Sequence, residues 1–349
     1  MSVDLSVVEG DYFHDLLGQP DSLRNTIEQL GESNELRALA SRLQRHRFKN
    51  VVLTGMGSSF HGLNPLLLQL TNAGHPAILV ETSELIYYRR GLLTTDTLLV
   101  AVSQSGRSIE MIRLLNENRG RGPIIAVTNT ANSPLGRRST AMVLTRAGEE
   151  FSVSCKTYVC ALLALKFLGD QLCGVPIART RKELTAILRP VTHYLARWKE
   201  HVEFMLPRLN GVRQLFLAGR GASLAAVGTG ALILKESTQF PAEGLSSASF
   251  RHGPFEMVGP ETLVLVFAGD SKTKQLNKRL FEDVRANQGC AEMVAQNSGE
   301  CAYCLPTVPP SLLPVMEILP VQMLTLALAA TKGHEPGKFR LASKITTTE

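Results

Sequence analysis

Short apolar segments alternate with longer, partly polar segments over the first half of the chain. The apolar segments are rich in aliphatic side chains, each is bounded by turn residues, and helical patterns separate most of them. Parallel strands that are buried on both faces have this composition, and strands that alternate with helices indicate a doubly wound sheet. The predicted strands in this half are 50–54, 77–80, 97–102 and 123–127.

The same pattern begins again in the second half of the chain. An apolar run over 214–218 leads into a glycine-rich turn and a helix, and another run covers 262–267. Residues 53–59, LTGMGSS, are similar to residues 217–223, LAGRGAS. This weak repeat favours two copies of one α/β domain over a single large domain. The predicted organisation is an N-terminal helical segment 1–48, a first domain 49–177, a helical linker 178–209, a second domain 210–333 and a C-terminal active-site tail 334–349.

The composition is that of a globular protein. The 349 residues suffice for two domains, and 44 % hydrophobic with 19 % charged residues excludes a mainly disordered chain. The two most apolar stretches, 158–173 and 312–330, contain charged residues or proline, so neither predicts a membrane span. The N-terminus lacks a basic start followed by an apolar run, so we expect a cytoplasmic protein without a signal peptide.

The charge balance and the cysteines argue against two further classes of protein. A formal net charge of +6 is modest for this length and the basic clusters are short, so no nucleic-acid surface is predicted. A mild positive balance suits an anionic small substrate. The six cysteines are scattered, and Cys301 and Cys304 form a lone CxxC, so we expect free thiols and no metal site.

The first candidate for chemistry is the turn that follows the strand at 50–54. Gly57, Ser58 and Ser59 lie where a strand passes into a helix, and such turns present backbone N–H groups to phosphate. The third glycine of a dinucleotide fingerprint and the Gly-Lys of a nucleoside-triphosphate loop are both absent, which disfavours NAD and ATP. A tight turn with a serine cap explains the same residues.

The stronger candidate is the loop that follows the strand at 97–102. It reads Ser-Gln-Ser-Gly-Arg-Ser and opens a helix at the carboxyl end of a strand, where open α/β sheets bind ligands. Three hydroxyl groups and an amide at one helix N-terminus can saturate the oxygens of a phosphate, whereas ordinary capping needs one serine. The predicted phosphate-binding residues of this loop are Ser103, Gln104, Ser105 and Ser108.

A third pattern suggests acid–base chemistry. Glu236 lies in an apolar helix pattern, and a partly buried carboxylate gains proton affinity, which suits a general base. His252 precedes Gly-Pro, so we place it in a turn as a second acid or base. A solvated helix face and an ordinary turn histidine explain these two residues as well.

In their order and spacing, these motifs resemble the SIS (sugar isomerase) family, in particular the isomerase half of glucosamine-6-phosphate synthase. The resemblance covers nearly the whole chain and extends to 19–27, 147–150 and 340–346. It implies two flavodoxin-like SIS domains, each with a five-stranded parallel sheet between helices. It also implies a 6-phosphorylated sugar or amino-sugar ligand, with the phosphate on the serine loop and on Ser58 and Ser59. The implied further substrate contacts are Gly57, Glu150 and Arg340.

The resemblance also implies catalytic roles. The residue corresponding to Glu236 moves a proton between C1 and C2 through an enediol-type intermediate. The residue corresponding to His252 opens the sugar ring and is typically supplied across a dimer interface, which implies a homodimer. Lys344 is the best match to a lysine that reaches the reacting end of the sugar and can form a Schiff base. This chemistry implies no cofactor, and the sequence predicts no metal, nucleic acid or membrane as a partner.

Several positions depart from the synthase. The chain shows no N-terminal glutaminase domain and no cysteine at position 2, so glutamine-dependent synthesis is not expected. Ile233 stands where the synthase has a lysine, and Ser343-Lys344 reverses its Lys-Ser order. These departures are similar to those of stand-alone relatives, which include deglycases of 6-phosphorylated fructosamines and amino-sugar-phosphate deaminase/isomerases.

We therefore expect a phosphosugar-processing enzyme that acts on a 6-phosphorylated amino sugar or ketosamine. A deglycase is slightly favoured over a deaminase/isomerase, because the lysine replaced by Ile233 serves isomerisation in the synthase. The alternative is a non-catalytic regulator that binds sugar phosphates, which the presence of both Glu236 and His252 disfavours.

Overall fold

The computed structural model of the chain describes residues 3–296, 299, 301–341 and 343–346. These residues form two compact units. The first unit consists of 21–150, 156–185 and the described residues from 341 onward. The second unit consists of the described residues up to 20, together with 151–155 and 186–340.

The first unit contains a five-stranded parallel sheet, as the sequence predicts. Its strand order is β2-β1-β3-β4-β5. Strands β3 and β4 are completely buried, which explains their uninterrupted apolar sequences. The strands are β1 (Asn50–Gly55), β2 (Ala77–Glu81), β3 (Thr97–Val102), β4 (Ile124–Thr128) and β5 (Ala141–Leu144).

Helices cover both faces of this sheet, and a core cluster that includes Val52, Leu99 and Leu114 lies on one of them. Their apolar positions repeat at helical spacing, for example at Met111, Leu114 and Leu115. The helices are α2 (Gln19–Gln29), α3 (Asn34–Gln44), α4 (Gly57–His61), α5 (Asn64–Asn72), α6 (Thr82–Tyr88), α7 (Ile109–Glu117), α8 (Pro134–Arg138), α9 (Lys156–Leu172) and α10 (Ile177–Thr185).

The second unit contains another five-stranded parallel sheet with the same topology. Its strand order is β10-β9-β8-β6-β7, in which β6, β7 and β8 correspond to β1, β2 and β3 of the first sheet. The strands are β6 (Gln214–Gly219), β7 (Ala242–Ser246), β8 (Thr262–Phe267), β9 (Cys290–Gln296) and β10 (Cys304–Leu305). The helices are α1 (Asp11–Leu17), α11 (Leu188–Ala196), α12 (Trp198–Met205), α13 (Leu224–Thr238), α14 (Ser247–Arg251), α15 (Lys274–Ala286) and α16 (Leu313–Lys332).

Helices α13 and α16 form the core of the second unit. A Cβ atom at Gly230 of α13 would lie 2.6 Å from Leu217 and 3.1 Å from Val321, so only glycine permits this approach of α13 to β6 and α16. Among the described residues, the segment Pro310–Lys332 is the one helix long and apolar enough to cross a membrane. Its most apolar stretch is completely buried inside the unit, as expected of a core helix.

The expectation that all cysteines are free thiols is wrong for one pair. Cys301 and Cys304 form a disulfide, with their Cα atoms 5.0 Å apart. The turn before β10 brings the two residues to a separation at which a disulfide forms, a geometry that a lone CxxC does not reveal. Cys155, Cys160, Cys173 and Cys290 are free thiols.

Candidate functional site

The order of the strands reverses between β1 and β3 in the first sheet. These two strands are paired directly, with Asn50 opposite Thr97, whereas the chain continues from β1 to β2 on one side and from β3 to β4 on the other. Such a reversal opens a crevice at the carboxyl ends of the two strands, which is where doubly wound sheets bind ligands. The turn at 56–59 and the loop at 103–108 both leave from these ends.

The turn after β1 depends on glycine. Gly57 has a φ of +52°, a conformation that is costly for residues with a Cβ atom. Ser58 and Ser59 follow in the first turn of α4, and both are half-buried. Helix α4 has only five residues, so the serine hydroxyl groups, and not a helix dipole, are the groups of this turn that can bind an anion.

The loop after β3 is held in place by its own hydrogen bonds. The Ser103 hydroxyl accepts from the backbone N–H of Gly106 at 3.1 Å, and the Ser105 hydroxyl accepts from that of Arg107 at 3.3 Å. In these contacts the hydroxyl oxygens act as acceptors, so each group still has a proton to donate to an anion. Gly106 has a φ of +60°, and a Cβ atom there would clash with Oγ of Ser133 and lie 2.7 Å from its Cβ atom.

Contacts with β4 anchor the same loop from the other side. The carbonyl oxygen of Gln104 accepts from the backbone N–H of Asn129 at 3.0 Å and from the Thr128 hydroxyl at 3.1 Å. The Asn129 side chain in turn accepts from the backbone N–H of Ala147 at 2.8 Å and donates to the carbonyl oxygen of Gly148 at 2.7 Å. Asn129 therefore joins the serine loop to the segment that carries Glu150. Sequence reasoning missed it, although its place directly after a buried strand was a usable signal.

Helix α7 begins at the end of the serine loop. Ser108 is its N-cap, is half-buried and makes no capping bond through its side chain. The backbone N–H of Ile109 donates to the carbonyl oxygen of Thr346 at 3.2 Å, so the C-terminal segment reaches the start of this helix. The loop thus combines three serine hydroxyls, the Gln104 amide and the positive end of a helix dipole.

Glu150 and Lys344 form a second contact between the C-terminal segment and the rest of the first unit. The Glu150 side chain is 1 % exposed, and its Oε2 accepts from the Lys344 ammonium at 3.0 Å. The carboxylate also accepts from the backbone N–H of Thr157 at 3.0 Å and from its hydroxyl at 2.7 Å. Buried carboxylates need such partners, so Glu150 fixes the position of Lys344.

The remaining predicted site residues lie in the second unit. Glu236 is half-buried, two residues before the end of α13. His252 is exposed and ends α14, where Gly253 with a φ of +120° turns the chain, as the Gly-Pro sequence predicts. Arg340 is exposed. Within the described part of the chain, no group of three or more His, Cys, Asp or Glu side chains is arranged to hold a metal ion.

Comparisons with known proteins agree with this architecture. A family model described as SIS domain matches residues 27–169 and again residues 208–332. The chain belongs to the SIS domain family. Each matched segment contains the five strands of one sheet, so the sequence-based assignment of two SIS domains is confirmed.

Curated relatives match almost the whole chain but only part of their own length. The isomerizing glutamine–fructose-6-phosphate aminotransferase of Pyrococcus horikoshii is 28 % identical over 98 % of this chain and 59 % of that protein. The enzyme of the same name from Pyrobaculum aerophilum is 29 % identical over 98 % of this chain and 58 % of that protein. This chain therefore spans about three fifths of the length of these relatives.

Solved structures with the same fold include two proteins named for phosphosugar chemistry. The C-terminal domain of glucosamine-fructose-6-phosphate aminotransferase from Francisella tularensis gives a TM-score of 0.83 at 21 % identity, covering 95 % of this chain and 99 % of that one. Glucosamine-6-phosphate deaminase from Thermotoga maritima gives a TM-score of 0.76 at 18 % identity, covering 97 % of this chain and 100 % of that one. At these identities the likeness is one of fold.

Proposed function

We propose that this chain is an isomerase-type enzyme that acts on a 6-phosphorylated amino sugar or ketosamine. The observation that carries the proposal is the serine loop at the switch point of the first sheet, which Gly106 and the contacts with β4 hold in place. Donors that are already positioned lose little entropy when they bind a phosphate. The proposed phosphate ligands are Ser58, Ser59, Ser103, Gln104, Ser105 and Ser108.

The proposed chemistry is proton transfer between C1 and C2 of the open-chain sugar. The Glu236 carboxylate takes a proton from the carbon next to the carbonyl group and returns it to the neighbouring carbon, through an enediol-type intermediate. Its half-buried position supports this role, because the carboxylate remains partly accessible to a substrate. His252 donates and accepts the proton during ring opening.

The other predicted site residues complete the proposal as substrate contacts. Gly57 leaves the backbone of the β1 turn accessible, and Arg340 carries an exposed positive charge. The contact of Lys344 with Glu150 supports a positioned positive charge at Lys344. For Lys344 to form a Schiff base it would first have to lose its proton, so we assign it a role in binding the substrate before any covalent role.

Two reactions fit this chemistry, and one observation favours the first. A deglycase consumes water and splits a fructosamine 6-phosphate into hexose 6-phosphate and a free amine. A deaminase/isomerase consumes water and converts glucosamine 6-phosphate into fructose 6-phosphate and ammonia. Ile233, which replaces a lysine of the synthase, is completely buried, so this helix offers no second polar group at that position. We therefore propose the deglycase reaction first.

A turnover assay on the purified chain tests the proposal. Fructosamine 6-phosphates of several amino acids and glucosamine 6-phosphate are offered, and hexose phosphate, amine and ammonia are measured. In Glu236→Gln we expect kcat to fall by about a thousandfold, the usual contribution of a general base, with phosphosugar binding retained. Glu243→Gln, which changes an exposed glutamate on β7, is the matched control and keeps wild-type kcat. If the wild type binds these sugar phosphates but forms no product, the proposal of an enzyme is wrong and a sugar-phosphate-binding regulator is favoured.

We further propose that the protein acts in the cytoplasm as a homodimer in which His252 is supplied to the partner's active site. The exposed position of His252 supports this. Glu236→Gln and His252→Ala, each inactive alone, are mixed and allowed to exchange subunits. Mixed dimers then contain one site with both wild-type residues, so about a quarter of the wild-type activity returns. Activity that stays absent, although mixed dimers form, would overturn the assignment.

A further inference from the structure

The second sheet has a switch point of its own, between β6 and β8, and a cavity lies beside it. β6 pairs with both β7 and β8, and the chain leaves β8 towards β9 on the opposite side, as in the first sheet. A cavity of about 430 Å³ lies at the carboxyl ends of β8 and β9, within the size range of small-molecule sites. None of the predicted site residues lines it.

One side of this cavity is positively charged. The loop after β8 contributes Lys272 and Lys274, both exposed, where the first unit has its serine loop. Helix α15 begins at Lys274 and runs for 13 residues, so its positive dipole end lies at the cavity. This side suits a phosphate or another compact anion.

Two carboxyl groups also line the cavity, one on α16 and one on the loop that carries Lys272. Glu317 of α16 is 1 % exposed, and its Oε1 accepts from the Ser223 hydroxyl at 2.7 Å. Its Oε2 has no hydrogen-bond partner among the residues that the structure describes. Asp270, whose Oδ1 accepts from the backbone N–H of Lys272 at 3.0 Å, is the second carboxyl.

The Oε2 atom of Glu317 is buried and lacks a hydrogen-bond partner among the described residues. Burial, with a smaller contribution from Asp270, raises the pKa of Glu317 to about 7, although the bond from Ser223 lowers it. Near neutral pH the carboxyl can therefore donate or accept a hydrogen bond, which suits a hydroxyl group. A buried polar atom without a partner is destabilising, and a ligand hydroxyl at this position would remove that cost.

We propose that this cavity is a second ligand site, separate from the serine loop, that binds a small phosphorylated polyol such as a hexose phosphate. The phosphate lies towards Lys272, Lys274 and the start of α15. The sugar hydroxyls lie towards Asp270 and Glu317, because a carboxylate repels phosphate and binds hydroxyl groups. The surroundings offer binding groups rather than a positioned acid–base pair, so the site is proposed for binding alone.

The test counts binding sites on the full chain with radiolabelled fructose 6-phosphate in equilibrium dialysis. We expect two sites per chain in the wild type and one in Ser103→Ala/Ser105→Ala, which weakens the serine loop. In Lys272→Gln/Lys274→Gln the serine-loop site is unchanged, and the affinity at the cavity falls roughly tenfold or more, the usual value of losing charge-assisted hydrogen bonds. Lys278→Gln, which changes another exposed lysine of α15, is the matched control and keeps both sites.

Each outcome decides the proposal independently of the enzyme function. No binding to the serine-loop variant would overturn the second site, and so would binding that is unchanged by Lys272→Gln/Lys274→Gln. The two lysines are exposed, so the lysine variant is expected to fold. Glu317→Gln provides a second variant in which binding at the cavity is weakened. Turnover of the lysine variant, measured in parallel, shows whether the first site functions, so failure of one proposal is not mistaken for failure of the other.

Discussion

The loops that leave β3 and β8 occupy the same position in two sheets of the same topology, yet they carry different side chains. The first offers hydroxyls and an amide, at Ser103, Gln104 and Ser105, whereas the second offers charges, at Asp270 and Lys272. The strand order alone creates a crevice in both units. What each crevice binds is therefore decided by the loop residues and not by the sheet.

Two buried glutamates, Glu150 in the first unit and Glu317 in the second, differ in their hydrogen-bond partners. Glu150 of the first unit accepts hydrogen bonds from Thr157 and an ion pair from Lys344. Glu317 of the second unit has a bond from Ser223 to one oxygen and no partner on the other among the described residues. A satisfied carboxylate stabilises the segments around it, whereas an unsatisfied one is a cost that a structure retains at sites with a further use.

The largest expected effect comes from replacing one glycine in each of the two loops with alanine. Gly106 and Gly269 both have positive φ, at +60° and +67°. A Cβ atom at 106 would clash with the Oγ atom of Ser133, which caps α8, and would lie 2.7 Å from the Cβ atom of Ser133, whereas at 269 the nearest atom is 3.4 Å away. We expect Gly106→Ala to lower the free energy of unfolding by about 3–4 kcal/mol, because strain and overpacking add.

Gly269→Ala is the matched control for this prediction. It has the same backbone strain without the clash, so we expect a loss of about 1 kcal/mol. Urea unfolding of the two variants measures both values. Gly106→Ala should also abolish phosphosugar binding at the serine loop, which Gly269→Ala leaves unchanged. Equal losses of stability in the two variants would show that the first loop is no more tightly packed than the second.

The family and most strands of the two sheets could be predicted from the sequence, and the burial of each strand explains which ones were recognised. Strands such as β3 and β8 are buried along their whole length, so their apolar runs are unbroken and their limits, Thr97–Val102 and Thr262–Phe267, follow from the sequence. Edge strands such as β5 and β7 are only partly buried, and their mixed composition hides them. The strand order and the two switch points were not predicted, since apolar runs alone do not reveal which strands are paired.

The candidate site was predictable only where a motif is local. The serine loop follows its strand directly, so its position could be read from the chain. The ion pair of Lys344 with Glu150 joins residues 194 positions apart, and the role of Asn129 depends on contacts with two other segments. Such long-range contacts leave no periodic pattern. The cavity with Glu317 was missed for the same reason, because a glutamate inside an apolar helix only argued against a membrane span.

A smaller effect distinguishes the two buried glutamates by their response to pH. Because the pKa of Glu317 is raised to about 7 by burial, the folded protein binds its proton more tightly than the unfolded chain does. Its contribution to stability is complete in acid and is lost as the pH rises towards and through 7. Between pH 5 and pH 8 the unfolding free energy of the wild type should fall by on the order of 2–3 kcal/mol more than that of Glu317→Gln. Glu150→Gln, which removes an ion pair instead, should be destabilised at pH 8, where Glu317→Gln is more stable than the wild type. Urea unfolding at four pH values measures these differences, and parallel pH profiles for the wild type and Glu317→Gln would contradict the contrast between the two carboxyl groups.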